Sequence, residues 1–304
     1  MIAPCRHFEQ GWPAEDLPQC DAGLRALRRN LLTGALPRPC QTCPTQPECT
    51  TTELRDRITL LELVDENREV EAVINALRSR DCVPSHDLMY RVAHTRTGYQ
   101  FIGSGLVNLF EMLPVLTPHL ILPVQHLLDW GCGCGRLARH LIGDPRFTTY
   151  TGCDIDTEAV EWCRAHLAGG TFLTIPPEPP VALAAGTFTA VIGYSVMTHL
   201  ERHLQLRWLT ELRRLTAPGA VLALTVHGEA AAARNGLATR LSKEGIIDEI
   251  PDVTLQNVAP AGYYRTTYQS RAYTEMHWGA LFEVLEYRAG AILDYQDIVV
   301  LRRQ

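Results

Sequence analysis

The stretch that decides the fold occupies residues 126–143 and has the sequence HLLDWGCGCGRLARHLIG. An apolar run at 124–128 leads to the acid Asp129. Glycines then alternate with other residues at Gly131, Gly133 and Gly135. Leu137 and Leu141, four residues apart, begin a helical pattern. The stretch therefore predicts a strand, a tight turn and a helix. Its turn lets a ligand approach the backbone, and its helix start offers unpaired N–H groups.

The spacing of the glycines narrows the class of ligand. A dinucleotide-binding turn needs Gly-x-Gly-x-x-Gly, and its third glycine is replaced here by Arg136. A P-loop ends in Gly-Lys-Ser/Thr, which this turn lacks. The pattern acid-x-Gly-x-Gly-x-Gly from Asp129 resembles the first motif of class I S-adenosylmethionine (SAM) methyltransferases. The alternative is a glycine-rich turn that binds no ligand.

The composition is that of a globular protein with one large or two modest domains. The chain has 304 residues, of which 46% are hydrophobic and 20% charged, and its net charge is −6. This charge disfavours a nucleic-acid-coating surface. No run approaches the ~18 apolar residues of a transmembrane helix, and the N-terminal sequence lacks a signal peptide's apolar core. We expect a cytoplasmic protein without membrane contact, whose cysteines are thiols or metal ligands.

Five of the ten cysteines fall near the N-terminus: Cys5, Cys20, Cys40, Cys43 and Cys49. The last three have the spacing Cys-x2-Cys-x5-Cys, in which two thiolates can bind one metal. The segments LRALRRNLLTG (24–34) and PCQTCP (39–44) resemble the tail of SPASM modules, which carry auxiliary iron–sulfur clusters in radical SAM enzymes. The Cys-x3-Cys pattern of the radical SAM core is absent from the sequence. The alternatives are an iron–sulfur cluster, a zinc ion, or a module without metal.

From residue 124 onward, strand patterns alternate with helical patterns, which predicts a doubly wound sheet. We expect an α/β fold with a Rossmann-like, mostly parallel, seven-stranded sheet that ends in an antiparallel hairpin, as in the resembled family. A small helical cysteine-rich N-terminal module precedes it. The predicted domains are the cysteine module at 1–50, a helical linker with SAM-covering helices at 51–118, and the methyltransferase domain at 119–304. An insertion at 229–270 is interpreted as a lid.

Acids at the ends of strands are the main candidates for SAM binding. Asp154 ends the second predicted strand, where a carboxylate can accept hydrogen bonds from ribose hydroxyls. Asp156 is interpreted as the cap of the next helix. Asp129 is expected to hold the methionine amine. Many members of the resembled family carry an acid after strand three that contacts adenine, and the sequence IPPEPP at 175–180 leaves that contact open. The predicted cofactor-binding residues are Asp129, Trp130, Gly131, Cys132, Gly133, Gly135, Asp154, Ile155, Tyr194 and Ser195.

Histidines at two further strand ends are candidate catalytic bases. Thr198 and Glu201 have the spacing of a capping box, which predicts that His199 lies in the first turn of a helix. Ligands bind at this edge of open α/β sheets, and a histidine there can accept a substrate proton. The second candidate is His227. The alternative is that the histidines bond the cap or line the SAM cleft without chemistry.

The insertion contains residues that could contact the methyl acceptor. The predicted substrate residues are Tyr263, Tyr264, Arg265 and Tyr268. Arg265 is suited to a carboxylate or phosphate group. Core packing is the alternative for the three aromatic side chains.

The sequences FTAVIGYSVMTHL (188–200) and TAPGAVLALTVHG (216–228) resemble bacterial small-molecule methyltransferases, and the resemblance runs from about 85 to 303. It implies a SAM-dependent methyltransferase that modifies an O or N atom of a sugar or natural-product intermediate. The alternative function is a non-catalytic regulatory protein that binds SAM or a metal cluster. An RNA methyltransferase is disfavoured by the low basic content and the missing Asn/Asp-Pro-Pro-Phe/Tyr motif. The acceptor atom and the oligomeric state are left open.

Overall fold

The structure of the protein is a computed structural model that describes residues 83–95, 98–252 and 258–304, except the side chain of Tyr99. The chain divides into two compact units, 1–107 and 108–304. The predicted cysteine module and most of the predicted linker lie outside the described residues. So do the five predicted metal ligands, Cys5, Cys20, Cys40, Cys43 and Cys49.

The described part of the chain alternates between helices and strands. The helices are α1 (His86–Ala93), α2 (Gly98–Leu116), α3 (Ala138–Leu141), α4 (Thr157–His166), α5 (Arg202–Leu215), α6 (Glu229–Arg234), α7 (Ala238–Glu244) and α8 (Arg271–Trp278). Short 3-10 helices occupy Thr117–His119 and Met197–His199. The strands are β1 (Val124–Trp130), β2 (Phe147–Asp154), β3 (Gly170–Thr174), β4 (Phe188–Gly193), β5 (Thr216–His227), β6 (Ile246–Pro251), β7 (Arg265–Gln269), β8 (Glu283–Ile292) and β9 (Gln296–Arg302).

The described strands form one mostly parallel sheet. The order β3-β2-β1-β4-β5 is parallel, and β9 pairs antiparallel with both β5 and β8. This confirms the predicted α/β sheet and its closing hairpin. The predicted count of seven strands is wrong, because the insertion adds β6 and β7 to give nine. Strand β7 joins the end of β5 through the pair His227 and Tyr268.

Hydrophobic cores cover both faces of the sheet, as expected for a doubly wound fold. Leu127 and Leu128 in the central strand β1 have no exposed surface and point into different cores. The first core includes Val160 of α4, and the second includes Trp208 of α5. The part of β1 that is buried on both faces begins at Leu127, which explains the apolar pair before Asp129.

One segment that includes most of α2 is long enough to span a membrane. Residues 100–119 are long and apolar enough to cross a membrane by length and composition alone, so the sequence expectation was wrong on this point. Of the qualifying window, 67% is buried inside the protein. Because the buried core helix of a soluble protein passes the same test, this is weak evidence for a membrane span.

The predicted capping box is also wrong, because α5 begins at Arg202. The Thr198 hydroxyl donates to the Ser195 carbonyl over 2.9 Å, and His199 ends a separate 3-10 helix. The cap of α5 comes instead from Asp248 in β6. Its Oδ2 accepts from the Arg202 backbone N–H at 2.8 Å and from the guanidinium at 2.9 Å. Tertiary structure therefore replaces the local cap that the sequence suggested.

Replacing Asp248 should destabilise the protein. Asp248→Ala leaves the start of α5 and the Arg202 guanidinium without this carboxylate, and we expect a loss of ~1–3 kcal/mol in the free energy of unfolding. Denaturant unfolding of the full chain measures it. Glu249→Ala is the matched control, since Glu249 pairs with Arg240 at the surface, and it should leave the midpoint nearly unchanged. Equal losses in the two variants would contradict the capping role.

Candidate functional site

The turn after β1 requires glycine at two positions. Gly131 has a φ of +80°, and a Cβ there would lie 2.3 Å from Val196 Cγ2. Gly135 has a φ of +79°, and a Cβ there would lie 2.4 Å from Leu167 Cδ1. Any side chain would therefore meet both a strained backbone and occupied space. The Gly131 N–H donates to the Cys153 carbonyl over 2.8 Å, which ties the turn to β2.

Asp154, the predicted ribose ligand, ends β2 and faces this turn. Its Oδ2 accepts the Gly133 N–H at 2.7 Å, and its Oδ1 accepts the Asp156 N–H at 2.9 Å. Burial raises the pKa of Asp154, and these backbone donors oppose the rise. The carboxylate is thus held in place while each oxygen keeps further acceptor capacity. Asp156 accepts from the Ala159 N–H at 3.2 Å, which confirms it as the cap of α4.

Asp129, the predicted ligand of the methionine amine, is a buried acid. It lies near the end of β1 with 1% of its surface exposed, and it accepts the Tyr150 hydroxyl at 2.6 Å. Burial raises its pKa to about 7, against the opposing effects of the Tyr150 hydrogen bond and the Arg136 charge. A cation brought beside this carboxyl would favour its ionised form.

Three other predicted cofactor residues are buried or half-buried. Trp130 is buried in the core against Trp208, with ring centroids 5.2 Å apart. Cys132 is a buried thiol whose Sγ lies 3.6 Å from the Gly133 carbonyl oxygen. Contact of Trp130 with a ligand would therefore use its backbone rather than its indole. Ile155 is half-buried beside the same core as Trp130.

The two predicted residues after β4 lie in polar surroundings. Tyr194 is half-buried under the Arg136 guanidinium, whose carbon lies 4.6 Å from the ring centroid. The Arg136 guanidinium also donates to Asn108 Oδ1. The sequence pattern indicated only that Arg136 replaces the third glycine of a dinucleotide-binding turn. Ser195 has a left-handed φ of +58°, and such strain in a residue other than glycine often marks a functional site.

The structure brings no metal ligands together within the described ranges. No group of three or more His, Cys, Asp or Glu side chains there could hold a metal ion. Four cysteines are buried in the glycine turn, the sheet and α4, and burial raises the thiol pKa of Cys134 and Cys153. These cysteines therefore have the environment of packing residues.

His199 lies at the end of the 3-10 helix after β4, beside an acid of the insertion. Its Nδ1 is 3.2 Å from Asp252 Oδ2, close enough for an ion pair when the imidazole is protonated. Its ring also meets the edge of Tyr264, with centroids 5.6 Å apart. About a quarter of the His199 side chain is exposed, since its relative accessibility is 26%. A carboxylate in this position can orient an imidazole that acts as a base.

His227 ends β5 in more buried surroundings. Its ring lies 5.2 Å from that of Tyr268 and 5.1 Å from that of Tyr295. Burial, reinforced by the charge of His199, lowers its pKa to about 4. The imidazole is therefore neutral at pH 7, and it is a weaker proton acceptor than an ordinary histidine.

Two of the predicted substrate residues lie side by side near the end of β3. Tyr263 and Tyr264 contact each other with ring centroids 5.2 Å apart. Burial raises the pKa of both hydroxyls, and the charge of Asp154 raises them further. Both rings therefore lie within electrostatic range of Asp154. The Tyr263 hydroxyl donates to the Pro177 carbonyl, which fixes this pair over the segment after β3.

The other two predicted substrate residues are placed differently. Tyr268 is 4% exposed and packs with Leu241 and Ile247 in the core of the insertion. Arg265 begins β7 and is half-buried. Its guanidinium forms no ion pair with another residue in the described ranges. The structure therefore brings together Tyr263, Tyr264 and His199, and leaves Tyr268 as a packing residue.

Residues 128–222 match the model of a family described as a methyltransferase domain. The matched segment contains Asp129, Asp154, His199 and the glycine turn between the two strands. The chain is a SAM-dependent methyltransferase. This confirms the activity that the sequence predicted, while the family model extends over less than half of the chain.

Several solved methyltransferase structures are similar to this chain, at low sequence identity. Those from Mesorhizobium loti and Methanosarcina mazei are each 15% identical. The first aligns over 64% of this chain and 98% of its own, with a TM-score of 0.48. The second aligns over 62% and 97%, with a TM-score of 0.47. Because both TM-scores lie below 0.5, these structural similarities carry no argument about function. No curated protein sequence matches the chain.

Removing the predicted ribose ligand should weaken cofactor binding. Asp154→Ala is expected to reduce the binding free energy of SAM by ~1–3 kcal/mol, the usual effect of losing a buried polar partner. Isothermal titration calorimetry measures it. Glu178→Ala is the control, because this exposed acid pairs with Arg207 after β3, and it should bind SAM as the wild type does. Unchanged affinity in Asp154→Ala would contradict the ribose assignment.

Cofactor affinity should also depend on pH through Asp129. The free carboxyl has a pKa of about 7, and a bound ammonium group favours its ionised form. Affinity for S-adenosylhomocysteine should therefore fall about tenfold from pH 8 to pH 6, as the ionised fraction falls. Calorimetry across this range tests it. Asp129→Asn should bind more weakly at pH 8 and lose this dependence, and an unaltered slope in the variant would place the amine elsewhere.

Proposed function

We propose that this methyltransferase transfers the SAM methyl group to an oxygen or nitrogen atom of a small molecule. The observation that carries the proposal is the position of Tyr264. Its ring lies 5.6 Å from that of His199 between centroids, and His199 follows β4 while Asp154 ends β2, two strands that run parallel to β1. A candidate base and a candidate cofactor ligand therefore occupy the same edge of the sheet, where open α/β folds bind substrates.

The residues on this edge fit SAM by charge and shape. Asp129 is a buried acid with a raised pKa. A methionine ammonium group beside it would balance the charge of its ionised form. Gly131 and Gly135 let the turn bend tightly, because a Cβ at either position would collide with a neighbouring side chain. Asp154 is fixed by two backbone donors and can accept from ribose hydroxyls. When bound, SAM supplies an electrophilic methyl group on a sulfonium, so the protein mainly aligns the acceptor and excludes water.

His199 is the better candidate for the base. The Asp252 carboxylate lies 3.2 Å from its Nδ1 without hydrogen-bond geometry, and its charge would stabilise the imidazolium formed when the other nitrogen takes a proton from the acceptor. His227 has its pKa lowered to about 4 by burial, which disfavours proton transfer to it at neutral pH. Tyr263 and Tyr264 would cover the acceptor and limit the access of water.

The acceptor is proposed to be a sugar or natural-product intermediate. Support comes from the sequence resemblance, from the aromatic side chains of the insertion beside His199, and from a net charge of −6, which disfavours a nucleic acid. The cytoplasmic location and the N-terminal iron–sulfur or zinc site stay predictions.

Turnover should depend on His199 while SAM binding does not. Methyl-tritiated SAM is incubated with the full chain and the small-molecule fraction of an extract from the source organism, and the labelled product is identified by mass. His199→Ala should lower the rate about 10²–10⁴-fold, the usual contribution of a general base, with SAM affinity unchanged. His203→Ala, an exposed position on α5, is the control. SAM binding by the wild type without any labelled product would favour the non-catalytic regulatory function.

A further inference from the structure

Two buried hydrogen-bond acceptors lie side by side at the substrate edge of the sheet. Gln296 begins β9 and is the direct antiparallel partner of His227 at the end of β5, so their side chains share one face. Gln296 is 9% exposed and His227 is 7% exposed. In the part of the chain that the structure describes, Gln296 Oε1 and His227 Nδ1 have no hydrogen-bond partner. Burying such atoms without partners is costly, so their juxtaposition needs a physical reason.

Hydroxyl protons fix the orientation of the Gln296 amide. Thr198 donates its hydroxyl hydrogen to the Ser195 carbonyl over 2.9 Å. In the 3.1 Å contact between the two hydroxyls, Ser195 must therefore be the donor. The Ser195 oxygen then accepts from Gln296, at 3.0 Å, so the group that faces Ser195 is the NH2. The Gln296 Oε1 must point away from Ser195, and it remains an acceptor without a donor.

His227 offers a second acceptor. Its pKa of about 4 makes the imidazole neutral at pH 7, so one ring nitrogen carries a proton and the other carries a lone pair. Nδ1 is the ring nitrogen that has no hydrogen-bond partner among the described residues. With the proton on Nε2, Nδ1 is an acceptor. The charge of His199 acts on this ring, which places the candidate base nearby.

We propose that Gln296 Oε1 and the lone-pair nitrogen of His227 form a subsite for a neutral group of the methyl acceptor that carries two hydrogen-bond donors. Either a primary amide nitrogen or two adjacent hydroxyl groups supply such donors. Since both protein atoms only accept, an anionic or donor-free group is rejected. The inference rests on the proposed function, because it assigns part of the acceptor to this edge and leaves the reacting atom to His199.

One aromatic side chain packs against the His227 ring. The Tyr295 ring covers His227 with centroids 5.1 Å apart, and it is half-buried. It follows Leu293 and Asp294, whose φ values of 54° and 55° are left-handed. The Tyr295 hydroxyl accepts from the Asn235 amide at 3.0 Å, which holds this ring beside His227.

The test uses the full chain labelled with 15N-histidine and saturated with S-adenosylhomocysteine. The probes are acetamide and cis-1,2-cyclohexanediol, each titrated to about 100 mM to detect weak binding. N,N-dimethylacetamide and tetrahydropyran are matched controls of similar shape without donors. We expect a saturable shift of the His227 ring nitrogens with at least one donor probe and none with the controls. Which donor probe binds distinguishes an amide from a hydroxyl pair.

Two variants test the subsite. Gln296→Met should abolish the shift when S-adenosylhomocysteine is kept at a saturating concentration for the variant. Thr198→Val removes the acceptor of the Ser195 proton, so the Gln296 amide can turn its NH2 toward the ligand and the shift should weaken. The proposal is overturned if neither donor probe shifts His227 in the wild type, if the donor-free probes act equally, or if Gln296→Met responds as the wild type does. A wild type that does not bind S-adenosylhomocysteine contradicts the proposed function instead, and titration of the free protein then still tests the subsite.

Discussion

The candidate site depends on the hydrogen bond from the Gly133 N–H to the Asp154 carboxylate. This contact of 2.7 Å joins the turn after β1 to the end of β2. It places a buried acid close enough to Asp129 that the charge of Asp154 raises the Asp129 pKa. Two neighbouring acids in a low-dielectric interior oppose each other's ionisation. The arrangement is therefore electrostatically unfavourable until a cation and hydrogen-bond donors are added, and SAM carries both in its ammonium and ribose groups.

Sequence patterns were sufficient where structure depends on local geometry. The alternate glycines required a turn without side chains, and Asp156 was recognised as a cap because capping joins residues three positions apart. The cap of α5 could not be found this way, because Asp248 lies 46 residues from Arg202 in the chain. Tyr264 and Tyr268 have the same residue type, yet only Tyr264 contacts His199. Their difference follows from strand pairing, which places Tyr268 in the core of the insertion.

The insertion is joined to the sheet rather than hanging over it as a separate loop. Its strand β7 pairs with the end of β5, and Asp248 of β6 binds the start of α5. These two attachments carry Asp252 and Tyr264 to His199. The sequence suggested a lid because the segment is long and lies between two core elements. Its strand attachments give it a second role, since the same segment that would cover the acceptor also fixes the partner of the candidate base.

The two histidines at this edge differ because their neighbours differ. His199 keeps partial contact with solvent and lies beside the Asp252 carboxylate, which can stabilise an imidazolium formed during proton transfer. His227 lies between aromatic rings, where burial holds it neutral. A neutral imidazole next to the Gln296 carbonyl can recognise a donor without taking its proton. The surroundings of His199 thus suit it to proton transfer, and those of His227 suit it to recognition of a ligand. This difference follows from the strand end that each histidine occupies.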